Sequence, residues 1–201
     1  MSKSLEELKH IYLRLVNYLL SGDLAFVILK SIREELLKDN ETKDDIFIGT
    51  VIISSYNTMV LTLANSIKPN SESIHLTYFF NCVRESKKKL GDEKYNQIMA
   101  HIGEFETELE RVSKITKAII ELRDTTVAHV DRKHVNNPSA LFKDQPISWE
   151  DMELAITVIS CGLLELGKHL GLSENLPDYI HLAKFSLTRK TKKVYDMSYR
   201  Q

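Results

Sequence analysis

Apolar residues recur along most of this chain at intervals of three and four, the spacing that lines one face of an α-helix. The first run is Leu5, Leu8, Ile11, Tyr12, Leu15, Tyr18 and Leu19. It is opened by Ser4 and Glu7, placed as a capping box in which each residue satisfies a backbone N–H of the other. Ser21-Gly22-Asp23 offers a break after Leu20, and Leu24, Val27, Ile28, Ile32, Leu36 and Leu37 then continue the period, so this stretch is either two helices or one bent helix. The polar, acidic residues 41–45 suit the partial positive charge of a helix N-terminus. The segment Ile46–Ile67 follows; its β-branched run Val51-Ile52-Ile53 lies in a stretch too long for a strand, so it reads as the central helix of a bundle, ended by Lys68-Pro69-Asn70.

A further helix is expected from Ser71 through Leu76, Phe79, Phe80 and Val83, becoming basic at Arg84 and Lys87-Lys88-Lys89. Past Gly91, with Asp92 as cap, one long helix is predicted from Tyr95, Ile98, Ile102, Phe105, Leu109, Val112, Ile115, Ile119 and Leu122, a single stripe suited to bundle packing. A polar loop containing Asn136-Asn137-Pro138 and Pro146 precedes the last long helix. That helix opens on a second capping box, Ser148 and Asp151, carries Met152, Ala155, Ile156, Ile159, Leu163 and Leu166, and stops at Gly171. No internal repeat or low-complexity linker appears. The expectation is an all-α antiparallel bundle of about five main helices over residues 1–172, with a basic segment at 173–201, where six basic residues from Lys184 to Arg200 face the lone acid Asp196.

Composition supports helices over strands. Seven glycines and four prolines in 201 residues fall well below the roughly 12% usual for the pair, leaving few turns for an all-β chain. With 43% hydrophobic residues the chain can bury a core, so wholesale disorder is excluded. A net charge of −1, from 27 basic and 28 acidic residues, gives no global field for tight duplex binding, so any nucleic-acid contact must be local. The two cysteines, Cys82 and Cys161, lie far apart in apolar surroundings and suit a reducing compartment rather than a disulfide framework. The N-terminus lacks a signal-peptide order, and the polar residues Thr50, Ser54, Ser55, Asn57, Thr58, Thr62 and Asn65 argue for a buried helix rather than a membrane span. A cytoplasmic location is expected.

The segment that carries chemistry is Leu122-Arg123-Asp124-Thr125-Thr126-Val127-Ala128-His129-Val130-Asp131, at the end of the long helix. An arginine is followed by a polar residue and, after five intervening positions, by a histidine. Here the sequence resembles the HEPN superfamily, defined by an arginine and a histidine with four to six residues between them, and in particular its AbiU-like abortive-infection branch, which Val130-Asp131 also matches. The segment Met59 to Ile67, the helix after it and the helix opening at Ser148 extend the resemblance to about residues 1–170.

The resemblance implies metal-independent RNA cleavage without a cofactor, by a homodimer whose paired arginines and histidines line one cleft, with an antitoxin protein as a further partner and no membrane. Arg123 and His129 would be catalytic: the imidazole takes the 2′-hydroxyl proton while the guanidinium forks onto the phosphate. Asp124 would orient or balance Arg123, while Thr125, Asp131, Arg132 and Lys133 would contact RNA. On one straight helix, residues six apart are separated by roughly 120° and 9 Å, so either the helix bends near Thr125-Thr126 or a second protomer completes the site. The plainer alternative is an Arg123–Asp124 surface pair with His129 capping carbonyls, in a non-catalytic module that binds a protein or RNA. A tyrosine two positions past the histidine, found in HEPN toxins silenced by nucleotide addition, is Asp131 here, which speaks against that control.

Weaker signals have plain readings. Gly162 to Lys168 has phosphate-loop spacing, yet His169 replaces the hydroxyl residue and no strand precedes it, so it belongs to an amphipathic helix. Glu7 and His10 suit an exposed helix start; Glu165 and His169 lie one turn apart; His129, Asp131 and His134 form only a remote metal possibility. Trp149 reads as a hydrophobic anchor, and Lys87-Lys88-Lys89 as a solvated helix end.

Overall fold

The computed structural model describes residues 3–36, 46–68, 74–126 and 147–172. Among them are seven helices and no strand: α1 (Leu5–Leu36), α2 (Ile46–Ile67), α3 (Leu76–Arg84), α4 (Lys87–Leu90), α5 (Asp92–Arg111), α6 (Ser113–Thr126) and α7 (Trp149–Leu170). The all-α class is as the periodicity dictates. The additional helices arise where expected single helices are interrupted.

Both capping boxes act as helix starts. Glu7 N–H donates to Ser4 Oγ at 3.2 Å, and Ser4 N–H to Glu7 Oε2 at 2.8 Å; Asp151 N–H donates to Ser148 Oγ at 3.0 Å. Helix α7 ends at Gly171, whose φ of 73° is the left-handed conformation that costs glycine little. The break expected at Ser21-Gly22-Asp23 does not occur, and α1 runs unbroken. Ser21 turns its hydroxyl back onto Asn17 O, and Gly22 faces Thr62 of α2, where a Cβ would lie 2.5 Å from Thr62 Oγ1. The glycine is an approach point between helices rather than a stop.

Three boundaries differ from expectation. Helix α3 starts at Leu76, not Ser71, because the His75 imidazole caps it by accepting the Tyr78 N–H. The basic stretch is cut off as α4 at Ser86, a fully buried residue whose hydroxyl donates to Cys82 O and Lys3 O and so ties this corner to the start of α1. The long helix is two: Asp92 is the first helical residue of α5 with Gly91 as its cap, and the chain turns at Val112. A seven-residue apolar repeat drifts about 20° per heptad on a straight helix. The turn at buried Val112 re-aims Ile119 and Leu122 into the core.

The core forms where α1 packs against α2, α3 and α7, α2 against α6, and α5 against α7. Leu8, Tyr12, Leu15, Leu29, Ile52, Met59, Leu63, Phe79, Ile98, Ile102, Ile119 and Met152 are fully enclosed. Such close packing makes single-methylene changes felt. By length and composition alone α1 and α2 each hold a window apolar enough to cross a membrane, α2 despite its polar residues; half of each window is buried within the bundle, as in core helices.

Candidate functional site

Arg123 lies in the last turn of α6, where that helix end meets the end of α2. Its Nε and Nη2 both donate to Asp124 Oδ1, at 2.8 and 2.6 Å, while Nη1 donates to Asn65 Oδ1 on α2 at 3.2 Å. The other Asp124 oxygen accepts from Lys68 Nζ at 3.2 Å. A four-residue cluster thus joins two helix ends. The Arg123 side chain is 18% exposed and that of Asp124 50%, so the arginine is anchored from within and its acid partner lies on the surface.

The local sequence explains why α2 supplies Asn65. In this helix the hydroxyls satisfy themselves on their own backbone: Thr58 bonds Ser54 O, Thr62 bonds Thr58 O, and Ser66 bonds Thr62 O. This i to i−4 back-bonding is available to a short hydroxyl side chain. Asn65 instead reaches across to α6. Lys68 follows by one turn, its N–H still closing the helix on Ala64 O. The hydroxyls of Thr58, Thr62 and Ser66 are thus satisfied by their own helix.

The electrostatics follow from the same placement. The C-terminal end of each helix carries about half a negative charge, which favours cations there, and both Arg123 and Lys68 are so placed. The hydrogen bonds from Arg123 and then Lys68 hold the Asp124 carboxyl below its ordinary range. Asp124 is ionised and offsets one of two cations. A guanidinium has five N–H donors; three are committed here, and two remain for a ligand oxygen among the described residues.

The predicted Arg123 and Asp124 are thus brought together, and Asn65 and Lys68 join them. Sequence reasoning assigned those two no role at the site; the available signal was that Asn65 is an amide among hydroxyls that need no partner. Thr125 and Thr126 are the last two helical residues of α6; the Thr125 side chain, His129, Asp131, Arg132 and Lys133 lie outside the described residues, as do His134 and the basic segment 173–201.

The secondary motifs resolve into packing. Gly162 and Gly167 sit inside α7 with the Phe105 and Tyr12 rings against them, where any Cβ would collide; their spacing serves helix contacts, not phosphate. Glu165 pairs with Lys168 at 2.5 Å, and His169 stacks on His101 with ring centroids 3.5 Å apart. Glu7 engages Ser4 and Lys3. Trp149 is buried against Phe26, with the Arg33 guanidinium over its ring. Lys87 pairs with Asp92 and lies over Tyr95. No group of three metal-ligating side chains converges among the described residues. A groove of about 430 Å³ between α5 and α7, floored by Phe105, Val158 and Leu166, shares no residue with the Arg123 cluster.

No curated protein and no solved structure matches the chain. The family model described as AbiU2, of the HEPN class, matches residues 5–183. A match of that extent, on an all-α chain with an arginine anchored at the end of α6, places this protein in the AbiU2 family of HEPN domains, related to abortive infection.

Proposed function

We propose that the protein is a metal-independent endoribonuclease of an abortive-infection or toxin–antitoxin system, acting as a homodimer on RNA inside the cell. The observation that carries this reading is the Arg123 guanidinium, anchored by Asp124 and Asn65 with two N–H donors uncommitted among the described residues, in a chain that belongs to a HEPN family. In the proposed reaction His129 takes the proton of a ribose 2′-hydroxyl. The freed oxygen attacks the adjacent phosphorus, and the bond to the 5′-oxygen of the next nucleotide breaks. The products are a 2′,3′-cyclic phosphate and a 5′-hydroxyl. Arg123 neutralises the charge that grows on the phosphate oxygens, a stabilisation worth most where donors are fixed beforehand. Lys68 adds a second cation beside it, while Arg132 and Lys133 extend the contact along the RNA. A second copy of each group across the dimer cleft supplies the convergence that one helix cannot.

Wild type, Arg123→Ala and His129→Ala, incubated with RNA in EDTA, test the proposal. Rapid cleavage by wild type, ending in cyclic phosphate, with only slow residual cleavage by the two variants, is the expected result; equal cleavage by all three would sink it. The Asp124 carboxylate already seated on the Arg123 fork favours one alternative, a helical module that binds an RNA or an antitoxin protein without cutting. Binding without cleavage in wild type would select that reading.

A further inference from the structure

We propose that Asn65 is a positioning residue for Arg123, so that the end of α2 forms part of the site; this rests on Arg123 acting at the phosphate. Asp124 is the neighbour of Arg123 in sequence and half exposed, so by itself it moves with the arginine it holds. Asn65 belongs to a different helix, and its amide oxygen meets Nη1, the one guanidinium nitrogen that Asp124 leaves untouched. Contacts at opposite sides of the guanidinium fix both the plane and the direction of the fork. Without Asn65 the group can pivot about its bond to Asp124. Helix α2 is suited to this because its core face is anchored by fully buried Met59, Leu63 and Ala64, which hold the amide in place. The two N–H bonds that no described residue takes up are then presented to a phosphate oxygen in a set orientation, the preorganisation that an electrostatic catalyst needs.

The test is steady-state cleavage of a short RNA by the full chain. Asn65→Leu keeps the shape and removes the acceptor; it is expected to lower kcat about 10- to 100-fold with little change in KM, the scale of loss when a positioned group drifts by about 1 Å. Asn65→Asp keeps an oxygen at the same reach and retains most of kcat. On an Arg123→Ala background Asn65→Leu adds no further loss, because residues acting as one unit are not additive. Should Asn65→Leu fail to give a normal melting curve, Asn65→Ser takes its place, since its hydroxyl can back-bond as that of Ser66 does. Unchanged kcat in a folded Asn65 variant, or a loss that persists in the absence of Arg123, overturns the positioning role while leaving Arg123 as the phosphate group. Wild-type cleavage by Arg123→Ala overturns the reading of the site, and this inference with it.

Discussion

Asp124 sits between two cations, and its charge state decides what Arg123 can offer a ligand. Its carboxyl is held below the ordinary value by Arg123 first and Lys68 second. For a carboxylate depressed on folding, the stabilisation is present above the unfolded value of about 3.9 and is lost as pH falls through the lower folded value. A carbon-13 titration of Asp124 is expected to find its midpoint below 3.9 in wild type and shifted upward in Arg123→Ala; an identical midpoint in the two proteins would show the pair to be without effect in solution. Arg123 and Asp124 were legible as a pair because they are adjacent within a recognisable motif. Asn65 and Lys68 were not, since they lie 58 and 56 residues from their partners in sequence, and no local pattern reports which helix ends meet.

Helix starts are where pH acts on the elements. His75 caps α3 with a ring nitrogen that accepts the Tyr78 N–H, which requires the neutral imidazole. Burial pushes its pKa down. A histidine depressed on folding contributes stability that is complete above its ordinary value of about 6.5 and declines as pH falls toward the folded value. Urea midpoints are therefore expected to drop between neutral and mildly acidic pH. In His75→Asn, which keeps a capping acceptor that does not titrate, that part of the slope should vanish, while His75→Ala at neutral pH should cost about 1 kcal/mol, as loss of a helix cap does. Helix contacts respond to size instead. Gly167→Ala drives a methyl into the Tyr12 ring, and a destabilisation of about 1–3 kcal/mol is expected from denaturant unfolding; an unchanged midpoint would mean that α1 and α7 separate freely. Capping boxes could be read from sequence because their hydrogen bonds span three residues, as could the Gly171 stop. The His75 start, the Ser86 corner and the Val112 turn could not, because each is set by burial or by a contact from elsewhere in the bundle.

For the molecule as a whole, a net charge of −1 implies that the proposed RNA binding would rest on a few cations. Measured against log salt, the binding constant for single-stranded RNA should fall with a shallow slope, and Lys68→Ala should reduce that slope by about 0.7, the share of one phosphate contact. A slope unaffected by Lys68→Ala would place that lysine outside the interface. Light scattering is expected to give twice the monomer mass, and a strictly monomeric species that still cleaves RNA would remove the need for a shared cleft. The sequence by itself determined the helical class, the span of α2, two of the helix starts and the Arg123–Asp124 pair, because helical period, capping and adjacency are written within a few residues of one another. Only the tertiary structure decided that α1 runs through Gly22, that the long helix turns at Val112, and that the ends of α2 and α6 meet so that Asn65 and Lys68 close around Arg123 and Asp124. These depend on which faces are buried together, a property of the packed bundle that no single segment carries.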